Sequence, residues 1–293
     1  MSLTSYIQTQ LPLIEKTLQA LLAPLEKNCD PLLFEATKYT VLGNGKRIRP
    51  LLMLVALDSL GADTYKGLRP ACAIELLHTY SLIHDDLPCM DDDDLRRGKP
   101  TLHKVYGEGQ AVLVGDLLLT MAFEVLSSSP GVSAQEAIEL VRILSSYAGG
   151  RGMILGQSLD LLAENQQIDQ EALYYIHKRK TGDLFSAALE FAAILSQKNS
   201  LCSPLAEIGQ AIGLSFQIID DTLDVEGKEA LLGKPVNSDT KNNKATSVSL
   251  MGITPSKTRA EQLLQNALSL CQKIGLENTL LAEFLPNLVY RKF

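Results

Sequence analysis

The sequence has little of what several protein classes need. Its five cysteines are scattered and form no CxxC pair, so neither a disulfide framework nor a zinc site is indicated. No run approaches the roughly 18 consecutive apolar residues of a membrane span, and the first residues lack the basic-then-apolar order of a signal peptide. We therefore expect a cytoplasmic protein without stable membrane insertion.

Positive charge is in the minority. The chain has 27 Lys and Arg against 34 Asp and Glu, which gives a formal net charge of −7. A negative chain argues against general nucleic-acid binding, although a net value does not describe a local basic pocket. Charge therefore has to be read motif by motif.

Helical periodicity, in contrast, runs through almost the whole chain. Apolar residues recur every three or four positions, and alternating β-branched runs are scarce. Turn-forming stretches divide the chain into about ten helices or more. Residues 71–87 and 205–225 are apolar around most of the helix circumference, which predicts packing deep inside a bundle. Because no Gly/Ser or Pro linker divides the sequence, we expect a single all-α domain over residues 1–293.

Aspartates gather in two places: the first cluster is Asp85, Asp86 and residues 91–94, and the second is Asp220, Asp221 and Asp224. Asp220 and Asp224 lie one turn apart, about 40° around a helix, so their carboxylates share a face. Asp85 and Asp91 would lie about 240° apart on an ideal helix and would not converge. Pro88 should bulge or end that helix, and this break can return Asp91 to the side of Asp85.

Each aspartate pair follows an apolar helical segment, where uncompensated charge would be costly. Carboxylate oxygens favour Mg²⁺, Ca²⁺ or Mn²⁺ over zinc or copper, and the ligand spacing of an EF-hand is absent. Two separate carboxylate walls therefore predict a multi-metal phosphate site. For residues 92–94 alone, a solvated helix end is an equally good interpretation.

Basic residues near these clusters fit phosphate oxygens. They are Lys46 and Arg49 in "GNGKRIRP", Arg96 and Arg97 after the first cluster, and Lys180, Lys234 and Lys244 near loops or helix ends. Arginine forks and lysine charges suit the phosphate oxygens that metal ions leave uncovered. Taken singly, each lysine also fits an ordinary surface position. The segment "LGNGKR" lacks the Walker A spacing, but it could present backbone amides and Lys46 to a phosphate.

Taken together, these blocks resemble the trans-type isoprenyl diphosphate synthases, most closely the bacterial farnesyl diphosphate synthases. The two aspartate-rich motifs are "HDDLPCMDDDDLRRGKPT" and "FQIIDDTLDVEG", and "GKRIRP", "GDLLL", "KTGDL" and "GKPVNSD" stand in the expected order around them. The resemblance covers nearly the whole chain. It implies the isoprenoid synthase fold, a helical bundle around a deep central cleft, and a homodimer.

The resemblance also implies roles for individual residues. Asp85 and Asp91, helped by Asp86, would bind Mg²⁺ on an allylic diphosphate from one wall, and Asp220, with Asp221 and Asp224, from the other. Up to three Mg²⁺ ions are expected with substrate bound, and Mn²⁺ can substitute. Arg96, Lys180 and Lys234 would contact the allylic diphosphate, while Lys46, Arg49, His78 and Arg97 would hold isopentenyl diphosphate. Thr181 and Gln217 would lie near the developing cation.

The implied reaction explains why these residue types are present. Isopentenyl diphosphate would be joined to dimethylallyl diphosphate and then to geranyl diphosphate, giving (2E,6E)-farnesyl diphosphate and diphosphate. Loss of diphosphate leaves a carbocation, so cations must stabilise the departing oxygens and a protein nucleophile would be harmful. The sequence has no GxSxG elbow and no Cys/His arrangement, which agrees with this chemistry. A lone His78 beside leucines would otherwise be read as a hydrogen-bonded core histidine.

Product length is expected to depend on the fifth and fourth residues before the first aspartate, Tyr80 and Ser81. The resemblance makes Tyr80 the floor of the prenyl pocket, whereas an ordinary core tyrosine is the alternative. Three other functions stay open from the sequence: a geranylgeranyl or geranyl diphosphate synthase, a class I terpene cyclase, and a non-catalytic partner subunit of a prenyl synthase.

Overall fold

The computed structural model describes residues 2–227 and 244–290, so Lys234 lies outside the described residues. Helices dominate these residues and confirm the predicted all-α class. The α-helices are α1 (Leu3–Asn28), α2 (Pro31–Val41), α3 (Ile48–Ser59), α4 (Thr64–Asp85), α5 (Leu102–Tyr106), α6 (Glu108–Ser127), α7 (Ala134–Ala148), α8 (Met153–Ala163), α9 (Gln170–His177), α10 (Asp183–Leu195), α11 (Cys202–Glu226), α12 (Ser247–Met251), α13 (Ile253–Lys273) and α14 (Leu280–Val289). A 3₁₀ turn spans Asn199–Leu201.

Capping residues fix where several helices begin and end. The Asp30 carboxylate accepts hydrogen bonds from the backbone N–H groups of Leu32 and Leu33, and a proline follows at the first helical position. Ser133 and Glu136 cap α7 reciprocally. Gly227, with φ of 74°, ends α11 in the left-handed region, where glycine carries no steric penalty.

The centre of the bundle is formed by α3, α4, α10 and α11. Every residue of α10 except Glu190 is buried, and so is every residue of α3 from Ile48 to Leu57. Helix α4 packs against α3 and α6, and α10 packs against α3 and α11. Residues 71–87 are buried or half-buried throughout, as predicted, whereas 205–225 also has two exposed residues, Glu207 and Val225. The ends of these central helices reach the cleft described below. The single-domain organisation over 1–293 stays a prediction.

A π-helical turn, Lys178–Gly182, joins α9 to α10 without a break in the helix. Two neighbouring glycines let its backbone approach closely. A Cβ atom at Gly156 of α8 would lie 2.2 Å from the Lys180 nitrogen, and one at Gly213 of α11 would lie 2.6 Å from the Gly182 Cα. Neither position can accept a side chain without displacing the turn. The turn is thus clamped between two helices while it presents Lys180 and Thr181 to the cleft.

A small antiparallel hairpin follows the first aspartate cluster. Its strands, β1 (Leu95–Arg96) and β2 (Lys99–Pro100), form the sheet of the described part of the chain. The two turn residues, Arg97 and Gly98, have φ values of 54° and 75°, as a two-residue primed hairpin turn requires. Tyr39 holds the second strand by donating its hydroxyl proton to the Pro100 carbonyl at 2.8 Å. The hairpin brings both arginines to the cleft.

Helix α6 is long and apolar enough, by length and composition, to cross a membrane. Within its most apolar stretch, 44% of the residues are buried inside the structure. The core helix of a soluble protein passes the same test. The absence of membrane insertion stays a prediction.

Candidate functional site

One cleft of about 430 Å³ collects most of the residues that the sequence singled out. It opens between the ends of α3, α4, α8 and α11, the π-helical turn, and residues 244–246. The predicted site residues that line it are Lys46, Arg49, His78, Ser81, Asp85, Asp91, Arg96, Arg97, Lys180, Thr181, Gln217, Asp220, Asp221 and Lys244. Asp86, Asp224 and Tyr80 are buried but do not line it.

The first carboxylate wall forms where α4 ends. The helix stops at Asp85, and the turn that contains Pro88 reverses the chain. The backbone N–H of Asp91 then donates to the Asp85 carbonyl at 2.9 Å, which brings the two residues together as predicted. Both carboxylates meet lysine ammonium groups: Lys244 Nζ lies 2.5 Å from Asp91 Oδ1 and Lys180 Nζ lies 3.8 Å from Asp85 Oδ2. Cations therefore already occupy this wall.

Asp86 points to a different partner. Its Oδ1 accepts from Arg96 Nε at 2.8 Å, and a second nitrogen of the same guanidinium contacts Asp93 Oδ2 at 3.1 Å. Burial opposes the charge of Arg96, but the carboxylates of Asp86, Asp85 and Asp93 outweigh burial and raise its pKa. The arginine that was expected to bind phosphate is therefore held by two aspartates of the same run.

The remaining aspartates of the run have different surroundings. Asp94 pairs with Lys104 at 2.8 Å, and the side chains of Asp92 and Asp94 are largely exposed. The solvated interpretation fits these two residues. It does not fit Asp93, whose carboxylate is mostly covered by its contact with Arg96.

The second carboxylate wall lies on α11 and is joined to the π-helical turn by a chain of hydrogen bonds. Thr181 Oγ1 donates to Gln217 Oε1 at 2.8 Å, and Gln217 Nε2 donates to Asp221 Oδ1 at 3.0 Å. The other oxygen of Asp221 accepts from the backbone N–H of Ser247 at 2.8 Å. Asp220 lines the cleft beside Asp221, whereas Asp224 is buried one turn further along the helix. The chain thus fixes both Gln217 and Asp221 relative to Thr181.

A basic end closes the cleft on the side of α3. The buried Arg49 guanidinium stacks 5.0 Å from the Phe185 ring centre, and its Nε has no hydrogen-bond partner among residues 2–227 and 244–290. Burial, reinforced by Arg97, lowers the pKa of Arg49 to about 10. Burial and the neighbouring arginines also lower the pKa of His78 well below its ordinary value, so its imidazole is neutral at pH 7. The positive charge at this end of the cleft therefore favours binding of an anion.

Arg47, in the middle of the same basic motif, has a structural environment instead. Its side chain is completely buried, with Nε 2.7 Å from Glu15 and Nη1 2.9 Å from Glu75. Its remaining nitrogen donates to the Val41 and Gly43 carbonyls. The N–H donors of Arg47 therefore bond within the protein and are not available to a substrate.

The sequence missed several polar cleft residues, among them Gln157 and Asp160 of α8. Gln157 Nε2 donates to Asp85 Oδ1 at 2.7 Å, and Asp160 Oδ2 accepts from Lys180 Nζ at 2.7 Å. Burial opposes the charge of Asp160, but Lys180 and Lys244 lower its pKa to about 2. In the sequence, Gln157 and Asp160 are isolated polar residues in an apolar helix and form no recognisable cluster. Their spacing of three residues nevertheless places them on one face.

The two candidate chain-length residues face different surroundings. Ser81 lines the cleft and donates its hydroxyl proton to the His78 carbonyl at 2.8 Å. Tyr80 is buried, and its ring lies edge-on to that of His84 with 5.6 Å between the ring centres. Ser81 is therefore the one in direct contact with the cleft.

Comparison with known proteins gives a consistent result. The family model described as polyprenyl synthetase matches residues 30–277. The farnesyl diphosphate synthase of Haemophilus influenzae is 45% identical over 93% of this chain and 94% of its own. The one from Bacillus subtilis is 43% identical over 96% of this chain and 95% of its own. The crystal structure of a Helicobacter pylori geranyltransferase complexed with magnesium and isoprenyl diphosphate superposes with a TM-score of 0.85, at 36% identity over 100% of this chain and 98% of its own.

Proposed function

The chain belongs to the polyprenyl synthetase family, and on that premise we propose that it is a farnesyl diphosphate synthase. It joins isopentenyl diphosphate to dimethylallyl diphosphate and then to geranyl diphosphate, and it releases diphosphate at each step. The observation that carries the proposal is the single cleft in which two aspartate walls meet a basic end. The allylic substrate can lose its diphosphate at the aspartate walls while isopentenyl diphosphate is held at the basic end.

Mg²⁺ fits the residues at the walls. The Lys244 ammonium acts as a stand-in cation there, 2.5 Å from Asp91 Oδ1, and the Lys180 ammonium lies 3.8 Å from Asp85 Oδ2. In the part of the chain that the structure describes, no group of three or more His, Cys, Asp or Glu side chains is arranged to hold a metal alone. Mg²⁺ typically takes only one or two carboxylates and completes its shell with water and phosphate oxygens.

Asp85 and Asp91 would hold Mg²⁺ from one wall and Asp220 and Asp221 from the other, with Asp86 and Asp224 behind them. Bound Mg²⁺ would neutralise the diphosphate as it departs. The relative crystallised with magnesium supports the choice of metal. The proposal includes the binding of up to three Mg²⁺ ions with substrate and the substitution of Mn²⁺ for Mg²⁺.

The protein's own cations would hold the allylic diphosphate. Lys180 and Lys244 reach the first wall, and Arg96 is oriented by Asp86 and Asp93. These fixed charges stabilise the leaving group as its bond to the allylic carbon breaks. Lys234 lies outside the described residues, and its assignment to the same diphosphate rests on the sequence.

The carbocation left behind needs electron density without a nucleophile. Thr181 directs its hydroxyl proton to Gln217, so the lone pairs of its oxygen are available to the cation. Hydroxyl and amide oxygens offer partial negative charge and are weaker nucleophiles than a thiolate or an amine. The apolar bundle around the cleft also keeps water away from the cation.

The basic end would bind isopentenyl diphosphate. Lys46, Arg49 and Arg97 supply the positive charge, and neutral His78 can donate one hydrogen bond. The double bond of this substrate then attacks the allylic carbon. The released diphosphate is a suitable base for the proton that must leave to complete the product.

The deciding experiment is product analysis over time with purified protein, Mg²⁺, dimethylallyl diphosphate and labelled isopentenyl diphosphate. We expect a ten-carbon intermediate followed by a fifteen-carbon product, and no turnover in EDTA. Accumulation of twenty-carbon or ten-carbon product would make the chain a geranylgeranyl or geranyl synthase. No turnover alone, combined with stimulation of another prenyl synthase, would overturn the enzymatic proposal in favour of a partner subunit.

We also propose that the protein is a cytoplasmic homodimer, in line with its resemblance to the family. Helix α6 supports the dimer, because its apolar residues Val112 and Leu113 are 40% and 53% exposed. A second copy would cover such a face. Sedimentation of Leu113→Glu should give a monomer where the wild type gives a dimer, and an unchanged dimer would exclude this face as the interface.

A further inference from the structure

One face of α8 contacts both sides of the first metal wall. Gly156 and Asp160 lie one helical turn apart on α8, and Gln157 lies three residues before Asp160. Gly156 abuts the Lys180 backbone, Gln157 binds the Asp85 carboxylate, and Asp160 binds the Lys180 ammonium. The helix therefore sets the spacing between an expected metal ligand and a lysine of opposite charge.

Lys180 has two carboxylates within reach, and it is not shared equally between them. Its Nζ lies 2.7 Å from Asp160 Oδ2 and 3.8 Å from Asp85 Oδ2. The first distance is a charge-assisted hydrogen bond and the second is not. Asp160 also lies 3.7 Å from Lys244 Nζ, so the same carboxylate faces the second lysine of this wall.

Lys180 approaches the oxygen of Asp85 that does not accept from Gln157 and would remain open to a metal. Gln157 already donates to Asp85 Oδ1, which leaves Oδ2 as the oxygen facing the ammonium group. A lysine ammonium and a divalent cation at one carboxylate oxygen repel each other, so a close ammonium would weaken metal binding there. Without a competing carboxylate, the ammonium of a mostly buried Lys180 would close on Asp85 to regain its hydrogen bond.

We propose that Asp160 is a positioning residue that holds the Lys180 ammonium off Asp85, so that Asp85 can bind a divalent cation. The inference rests on the proposed function in taking Asp85 as a metal ligand. It adds that metal affinity at this wall depends on an ion pair formed away from the metal. Lys180 remains close enough to meet the diphosphate when that arrives.

The test measures Mn²⁺ binding by electron paramagnetic resonance without any prenyl substrate, with inorganic diphosphate first absent and then present. The proteins are the wild type, Asp160→Asn, Lys180→Met and the double variant. We expect Asp160→Asn to weaken Mn²⁺ binding about tenfold, the size of one displaced charge-assisted hydrogen bond. In the Lys180→Met background the same change should alter binding by less than about twofold, because the Lys180 ammonium that would close on Asp85 is gone, while Lys244 keeps its contact with Asp91.

Two results would overturn the inference. Wild-type Mn²⁺ affinity in Asp160→Asn would show that Asp160 does not control Asp85. An undiminished loss in the Lys180→Met background would show that Asp160 acts on the metal through its own charge. Asp160→Glu, which keeps a carboxylate near Lys180, should recover most of the affinity, whereas a loss unrelated to the ion pair would not be recovered.

Controls separate this effect from general charge and from folding. Glu277→Gln removes one negative charge from an exposed position and should bind Mn²⁺ as the wild type does. Asp160→Ser is a second charge-removing variant if the asparagine protein does not fold, and it is expected to give the same tenfold loss. If the wild type binds Mn²⁺ but makes no prenyl product, the proposed function fails alone. If it makes product but Asp160→Asn binds Mn²⁺ normally, only this inference fails.

Discussion

The backbone N–H of Asp91 donates to the carbonyl oxygen of Asp85 at 2.9 Å. This bond joins two residues that an uninterrupted helix would hold about 240° apart. It forms because α4 ends at Asp85 and the following turn contains Pro88, which cannot continue the helix. A backbone break is therefore what makes one carboxylate wall out of two aspartates six residues apart.

The aspartate run predicts a sharp contrast between neighbours. Asp91 is mostly covered and faces the cleft, so Asp91→Asn should lower kcat/KM by about 100-fold or more through loss of metal binding. Asp92 is exposed at a φ of 49°, a conformation that asparagine tolerates well. Asp92→Asn should therefore change kcat/KM by less than about threefold. Steady-state assays of both variants check this, and similar losses would contradict the assignment of the wall.

The sequence could predict both walls because their signals are local. A group of aspartates marks α11, although of these only Asp220 and Asp221 line the cleft, and a proline marks the end of the other helix. The partners of Arg47 and Lys180 could not be predicted in the same way. Glu75 and Asp160 come from distant parts of the chain, and only the packing of the bundle decides which acid meets which base. The π-helical turn likewise depends on close approach to glycines of two other helices.

Replacement of Arg47 should reduce stability more than substrate affinity. Arg47→Met leaves Glu75 buried without its partner, so we expect a loss of about 3 to 5 kcal/mol in the free energy of unfolding. Urea denaturation measures this. Lys46→Met, one residue earlier and exposed, should change stability by less than about 0.5 kcal/mol while raising KM for isopentenyl diphosphate.

A second substitution tests the cause of that loss. Combining Arg47→Met with Glu75→Leu removes the isolated charge, and it should recover part of the lost stability. If the double variant is less stable than Arg47→Met alone, burial of an unpaired carboxylate is not the reason for the loss.

Tyr80 should limit product length although it does not line the cleft. Its buried ring packs beside that of His84 on α4, five residues before Asp85, so Tyr80→Ala would open space next to the cleft for a longer prenyl chain. We expect twenty-carbon product to appear, with a stability loss of about 3 kcal/mol from the cavity. Tyr80→Phe keeps the ring and should keep the fifteen-carbon product. Chromatography of the products decides, and an unchanged chain length in Tyr80→Ala would make Tyr80 an ordinary core residue.

Asp183 predicts a pH dependence of stability away from the metal walls. Its carboxylate is buried at the start of α10, and burial raises its pKa from 3.8 to about 6, even though Arg179 lies 3.3 Å away and opposes the shift. The folded protein then holds this proton more tightly than the unfolded chain does. The free energy of unfolding should therefore fall as pH rises from about 4 to about 6.

Asp183→Asn removes that titration, so the stability of the asparagine variant relative to the wild type should increase as pH rises. Between pH 4.5 and pH 7.5, the difference in unfolding free energy should shift by about 2 kcal/mol in favour of the variant. Urea denaturation at both pH values gives this difference. The contributions of the titratable groups that the two proteins share cancel in it. Glu277→Gln, at an exposed position away from α6, should follow the wild type at both pH values. A constant difference between Asp183→Asn and the wild type would mean that Arg179 fully compensates the buried charge.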